Sequence, residues 1–178
     1  FLAEIFLAAN NYNEAIKLFK EALEFDKKNI NSLFNLARAY SDLGELKIAE
    51  NYYNEVIKND PTNIWAEYEL IKINNTYLTD NLLKKVEKKN VNENLNNLNS
   101  IFSKLIIAEN FKRMKNYKLE LDNLLEAHTL YLSKNKKAVN QQFNYLTNLL
   151  PKFISKIKNT NVTFNCNLKP IFIMGLPR

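Results

Sequence analysis

The chain has 178 residues, a formal net charge of +6 and a pI near 9.2. Its single cysteine, Cys166, excludes an internal disulfide framework, and one His beside one Cys predicts no metal site. No apolar run approaches the roughly 20 residues that a membrane span requires. We therefore expect a cytoplasmic protein with no membrane partner and no metal, and we assign no chemical role to Cys166 or to His128.

Two helices are predicted at the start of the chain. Residues 1–9 are apolar apart from Glu4, and neither the basic leader nor the cleavage pattern of a signal peptide frames them. Residues 13–25 carry apolar side chains at helical spacing. Because the first residue is Phe1 rather than an initiator Met, we expect residues 1–29 to be the truncated remainder of a repeated helical pair.

A period of about 34 residues organises the next part of the chain. Ala15, Phe19 and Ala22 recur in step as Ala49, Tyr53 and Val56. A complete unit covers about residues 30–63, with Gly44 in its turn and Pro61 after its second helix. Ala37 and Ala49 mark the closest approach of its two antiparallel helices. The larger side chains that fill the space beside them are Leu33, Leu36, Tyr40 and Tyr53.

The spacing and residue types of this unit resemble the tetratricopeptide repeat, which implies an all-α, right-handed solenoid of helical hairpins. Residues 64–100 predict a degenerate third unit. Its first helix fits residues 64–73, but Leu83 stands where the repeat has a small residue. The Lys- and Asn-rich stretch 84–100 predicts a helix with a loop around Asn90.

A divergent fourth unit is predicted over residues 101–132. Its first helix carries Ile107, Ala108 and Phe111, and its second carries Tyr117, Leu121, Leu124 and Ala127. Residues 133–167 are predicted as a capping helix and linker. The helix, over residues 138–157, has an apolar face that we expect to cover the open end of the solenoid.

The first helices of such a stack line its concave surface, so equivalent positions form stripes along a groove. Arg38 and Lys72 stand one repeat period apart and are predicted to project into that groove. Their predicted neighbours are Asn31, Phe34, Asn35 and Tyr68. This basic and aromatic stripe suits a protein or peptide partner that is acidic or ends in a carboxylate. The alternative is a solvated groove without a ligand, because charge on exposed helix faces is usual.

Residues 168–178 predict a different kind of structure. The continuous apolar run between Pro170 and Gly175 is of the kind found in a central strand of a parallel sheet, and Gly175 begins a turn. A lone parallel strand leaves its backbone groups unpaired, so we expect the chain to be a fragment that stops at the start of a truncated α/β domain resembling a P-loop fold.

The repeats followed by Gly175-Leu-Pro-Arg178 resemble the bacterial tetratricopeptide-repeat sulfotransferases. The resemblance implies transfer of a sulfuryl group from 3′-phosphoadenosine 5′-phosphosulfate to a hydroxyl acceptor, with the repeats as an interaction scaffold. In the family this loop continues as Ser-Gly-Thr-Thr and binds the 5′-phosphosulfate. Gly175, Pro177 and Arg178 would then be cofactor-binding residues, and Arg178 would stabilise charge on the transferred group. The acceptor site and most of the cofactor site would lie beyond Arg178, so we expect the chain by itself to be inactive.

The sequence leaves one alternative to the sulfotransferase open. Gly175 to Arg178 is also compatible with an ordinary loop after a buried strand, and the chain is then a non-enzymatic repeat scaffold. A nucleic-acid partner is not predicted despite the net charge. The lysine clusters at 84–89 and 134–137 are mixed with Glu87 and many Asn, and no nucleic-acid-binding motif accompanies them.

Overall fold

The computed structural model describes residues 1–92 and 98–144, and within these ranges every regular element is helical. The α-helices are α1 (Leu2–Ala8), α2 (Tyr12–Phe25), α3 (Ile30–Asp42), α4 (Leu46–Asn59), α5 (Ile64–Ile73), α6 (Asp80–Asn92), α7 (Leu98–Arg113), α8 (Tyr117–Lys134) and α9 (Lys136–Asn144), and a short 3-10 helix spans Asn75–Tyr77. The helical part of the predicted fold is thereby confirmed. The strand predicted near the C-terminus lies outside the described residues.

Residues 1–134 form one compact unit, and residues 135–178 form a second, of which α9 is described. In the first unit each of the helices α1 to α4 packs against the next helix. Helix α7 packs on α5 and α6 and pairs with α8. None of the helices in the described ranges is long and apolar enough to span a membrane.

The α3–α4 hairpin has a close-packed core. Ala37 and Ala49 are fully buried, and so are Leu36, Tyr53 and Val56. The alanines let the two helix backbones approach, because a larger side chain at either position would force them apart. Gly44 takes φ +81° in the turn between the helices, a left-handed conformation that costs glycine little.

Asparagine side chains cap the N-termini of α3 and α5, the first helices of two successive units. Asn29 Oδ1 accepts a hydrogen bond from the Ser32 backbone N–H at 2.9 Å. Asn63, one repeat period later, accepts one from the Ala66 N–H at 3.1 Å. Each cap satisfies a backbone donor that a helix start leaves free. The caps therefore repeat with the same period as the apolar core.

The third unit departs from the regular hairpin. A 3-10 helix follows α5, and the Tyr77 hydroxyl hydrogen-bonds to the Glu50 carboxylate and to the Asn54 amide, both on α4. Lys85 on α6 pairs with Glu67 on α5 at 2.8 Å.

Asn90 itself lies within α6 rather than in the predicted loop, and residues 93–97 lie outside the described residues. The backbone hydrogen bonds of a helix continue through a polar Asn and Lys run when apolar positions of the same helix are buried. Leu82 and Val86 are buried in this way.

Helix α8 has an apolar face without a described cover. Leu121, Leu124 and Leu125 are exposed, and Ala127 is its buried residue. The helix predicted to cap the solenoid over residues 138–157 falls partly on α9 and otherwise outside the described residues. Its capping role stays a prediction.

Tyr53 is the largest fully buried side chain, and its hydroxyl has no hydrogen-bond partner among the described residues. Burial, reinforced by the Glu69 carboxylate, raises the pKa of the Tyr53 phenol far above its usual range. A buried hydroxyl without a partner costs free energy, because it has lost its hydrogen bonds to water. The aromatic ring rather than the hydroxyl therefore stabilises this core.

Tyr53→Phe should leave the stability at neutral pH unchanged or raised. Above pH 10 the stability of the variant should increase relative to that of the parent chain. Tyr53 ionises in the unfolded parent chain but stays neutral in the folded one, which favours unfolding of the parent. Between pH 8 and pH 11 the difference between the two unfolding free energies should grow by about 1.4 kcal/mol. Urea unfolding at both pH values measures it, with Tyr117→Phe on the exposed start of α8 as the control. A loss of stability in Tyr53→Phe at pH 8 would contradict this account.

Candidate functional site

A groove of about 490 Å³ runs over the first helices of the repeats. We call it the Arg38 groove. It is lined by residues of α1, α3 and α5 and of the turn after α1, namely Glu4, Leu7, Ala8, Asn10, Asn31, Phe34, Asn35, Arg38, Asp42 and Trp65. Four of these, Asn31, Phe34, Asn35 and Arg38, are residues that the sequence predicts for the groove. The predicted Tyr68 and Lys72 lie further along α5.

A chain of side-chain hydrogen bonds forms the polar wall of the groove. Arg38 Nη1 donates to Asn35 Oδ1 at 3.4 Å, and Asn35 Nδ2 donates to Asn31 Oδ1 at 3.0 Å. Asn31 Nδ2 then donates to Glu4 Oε1 on α1 at 2.8 Å. All three bonds run in the same direction, from a cation to an anion, so each amide is held in a single orientation. This arrangement follows from spacings of three and four residues on one face of α3.

Aromatic rings form the opposite wall of the groove. Trp65 contacts Phe34 at 4.6 Å between ring centroids and stacks on Phe102 of α7 at 4.9 Å with the ring planes 12° apart. Phe34 in turn meets Tyr53 edge to face, and Tyr68 meets Phe102. The contacts join α3, α4, α5 and α7 into one packed row. Such ring pairs stabilise a structure beyond their buried area, so they hold this wall together.

Arg38 is held between these two walls. Its guanidinium carbon lies 5.7 Å from the centroid of the Trp65 ring, and the side chain is half-buried. No carboxylate lies within 4.0 Å of it in the described part of the chain. Since one N–H is directed to Asn35, the remaining donors are available to an anion that enters the groove.

Lys72 has a different environment. Its ammonium pairs with Glu69 at 2.9 Å and lies 5.8 Å from the centroid of the Tyr68 ring. Glu69 also accepts from the indole N–H of Trp65 at 3.1 Å. The charge of Lys72 is therefore balanced locally. Burial raises the pKa of the Tyr68 phenol, although Lys72 opposes the shift, so the phenol stays neutral at physiological pH.

A second hollow of about 410 Å³ lies beside Lys72. It is lined by Ile71, Lys72, Ile73, Asn75, Glu109 and Lys112. Lys112 pairs with Glu109 at 3.3 Å on α7. Both lysines of the second hollow, Lys72 and Lys112, thus have a carboxylate partner. The two ion pairs lie at the surface, where such a pair contributes little to stability.

Carboxylates accompany both cations of the predicted basic stripe. Glu4 and Asp42 line the groove together with Arg38, and Glu69 pairs with Lys72. Glu4 and Glu109 stand at the equivalent position of the flanking units in the sequence, so the stripe of positive charge is short.

The sequence prediction did not include Trp65 among the groove residues. Trp65 stands one repeat period after Asn31 and so occupies the equivalent position of the next unit. The same periodic comparison that placed Asn31 in the groove could therefore have placed Trp65 there.

Metal binding and the predicted phosphosulfate loop are separate from the groove. The described residues contain no group of three or more His, Cys, Asp or Glu arranged to hold a metal ion. Gly175, Pro177 and Arg178, which the sequence resemblance assigns to a phosphosulfate loop, fall outside the described residues. The candidate site in the described part of the chain is therefore the Arg38 groove.

A comparison with protein-family models matches residues 6–72 to the tetratricopeptide repeat. The match includes α2 to α4 and nearly all of α5, and so covers most of the Arg38 groove. The repeat part of the sequence resemblance is confirmed by it. Repeats of this kind commonly bind proteins or peptides, which agrees with a groove whose arginine keeps donors available.

Asn35→Ala should lower the unfolding free energy by about 1–2 kcal/mol, because Asn35 is nearly fully buried and bridges Asn31 and Arg38. Asn51→Ala, at an exposed position of α4, is the matched control and should change stability by no more than about 0.5 kcal/mol. Urea unfolding of both variants measures the difference. Equal stability of the two variants would mean that the amide chain contributes nothing to the wall.

Proposed function

We propose that this protein is an interaction scaffold that holds an extended segment of a partner protein in the Arg38 groove. The observation that carries the proposal is a half-buried arginine with available donors and no carboxylate within 4.0 Å among the described residues. An uncompensated cation in a groove is costly to desolvate further, and an incoming anion offsets that cost.

The groove is built in advance of binding. Asn35 and Trp65 restrict the Arg38 side chain from two sides, so little conformational entropy remains to be lost when a ligand docks. The guanidinium can offer a pair of parallel N–H donors, which fits a side-chain or C-terminal carboxylate. The cavity volume of about 490 Å³ suits a few side chains of a peptide rather than a folded domain.

The first helices of successive units together form an extended surface. Arg38 and Lys72 stand at equivalent positions of successive units, and each lines a separate hollow. A partner segment in extended conformation advances about 3.3 Å per residue and would contact more than one unit. Affinity would then come from several modest contacts along the stack.

Arg38→Met should weaken binding of peptides that dock in this groove at least tenfold, or about 1.4 kcal/mol, because the substitution keeps the stem and removes the donors. Peptides are selected from a displayed random library and titrated against the purified chain. Trp65 is the only tryptophan in the sequence and lies in the groove, so its fluorescence reports occupancy directly.

Lys58→Met is the matched control, since Lys58 is exposed on α4 and does not line the groove. It should change affinity less than about twofold. Equal binding by Arg38→Met and the parent chain would overturn the proposal. So would failure of the library to yield any peptide that perturbs Trp65.

A second function rests on the sequence alone. The run from Lys169 to Arg178 supports the proposal that the repeats belong to a sulfotransferase that uses 3′-phosphoadenosine 5′-phosphosulfate. A strand that leads into a turn at a helix start directs backbone N–H groups at a phosphate, and an arginine there adds a planar pair of donors. In that protein the repeats would hold a partner that carries the acceptor hydroxyl.

The chain by itself should neither bind 3′-phosphoadenosine 5′-phosphosulfate measurably nor transfer sulfate. Only Gly175, Leu176, Pro177 and Arg178 of the expected loop are present in it, and a cradle of several amides is needed to hold a phosphate. Calorimetric titration of the chain with the cofactor measures this directly. Saturable binding would show that the cofactor site lies within these residues.

A further inference from the structure

Three charged side chains line the Arg38 groove, and two of them are acidic. Glu4 lies on α1 and Asp42 ends α3, with Arg38 on α3 between them. The Glu4 side chain is 43% exposed, and one of its oxygens lies 3.9 Å from the α-amino group of Phe1. Asp42 is exposed. Neither carboxylate is within 4.0 Å of Arg38, so neither one neutralises it by direct contact.

These carboxylates restrict which anion can use Arg38. A ligand with a single acidic side chain gains the arginine contact. A ligand with several acidic side chains brings the others close to Glu4 or Asp42 within one Debye length, where like charges repel. A basic side chain near the docked acid would instead meet one of these carboxylates.

We infer that the partner segment is of mixed charge, with one acidic residue on Arg38 and a basic residue close to it in sequence. This inference rests on the proposed function of the groove. In an extended segment, residues two apart point the same way and lie about 7 Å from each other. Basic residues two before or two after the acid are therefore placed to reach Glu4 or Asp42.

The second hollow also presents charges of both signs, because Lys72 pairs with Glu69 and Lys112 with Glu109. A uniformly acidic segment that reached both hollows would meet carboxylates in each of them. A segment of alternating sign would find a partner of opposite charge for each of its own charges, which is how complementary interfaces obtain specificity.

The overall charge of the chain does not make the groove a polyanion site. Every acidic residue of the sequence stands in residues 1–134, whereas residues 135–178 contain Lys and Arg but no Asp or Glu. The excess of positive charge therefore belongs to the C-terminal part of the sequence. The helical repeats themselves are close to neutral.

The test starts from the peptide selected for Arg38-dependent binding. Its acidic residue is kept, and the residues two before and two after it are replaced by Lys, by Glu or by Gln to give three peptides of equal length. Titration followed by Trp65 fluorescence at low salt should rank them Lys, Gln, Glu, with at least a fivefold gap between the first and the last. The gap should narrow at high salt, where charges are screened.

The double variant Glu4→Gln and Asp42→Asn should reduce this gap to less than twofold. Both changes keep the shape of the side chain, and the new amide oxygen at the first position could still accept the hydrogen bond from Asn31. Glu55→Gln, on the outer face of α4, removes a carboxylate outside the groove and should leave the gap unchanged.

The outcomes separate the two claims. Equal or tighter binding of the Glu-flanked peptide, still lost in Arg38→Met, would overturn the mixed-charge inference and keep the groove as the docking site. A gap that survives in the double variant would also overturn the inference. Absence of any Arg38-dependent peptide would overturn the docking function and the inference with it.

Discussion

The close approach of the two helices in each hairpin is the constraint on which the other features depend. It requires alanine where the backbones meet, and Ala15, Ala37 and Ala49 are all fully buried. Once α3 and α4 lie this close, Tyr53 fills the space beside them and contacts Phe34 edge to face. Phe34 then meets Trp65 of the next unit, so the spacing within one hairpin sets the aromatic wall of the groove between two.

The polar wall also depends on α3, which carries Asn31, Asn35 and Arg38, and it gives the groove its chemistry. Neutral amides carry the hydrogen bonds from Arg38 to Glu4, which fixes the arginine without cancelling its charge. A carboxylate in the place of Asn35 would have cancelled it. Lys72 shows the other arrangement, since Glu69 balances it on the same helix. Arg38 is thus available to a ligand, whereas the charge of Lys72 is balanced by Glu69 of the same helix.

Apart from the groove position of Trp65, the features that repeat were predicted from the sequence, and several features that do not repeat were missed. The repeat period located α2 to α5 and the groove positions Asn31, Asn35 and Arg38, because burial imposes that period on the residues themselves. In the described part of the chain the 3-10 helix and the Tyr77 contact to α4 occur in one unit, so no periodic signal predicts them. The sharing of Glu69 by Trp65 and Lys72 depends on side-chain rotamers, which spacing alone does not determine.

The two proposed functions agree in what they require of the repeats. A scaffold that binds one segment of mixed charge gains selectivity from the carboxylates near Arg38. A uniformly acidic partner is repelled by these carboxylates, and a partner without an acidic residue makes no ion pair with Arg38. If residues 169–178 open a phosphosulfate loop, the same docking would raise the local concentration of an acceptor hydroxyl near that loop without any further contact. The chemistry of transfer would then set which group is modified, while the Arg38 groove would set which protein carries it. Specificity for the partner is therefore expected to reside in the repeats under either function.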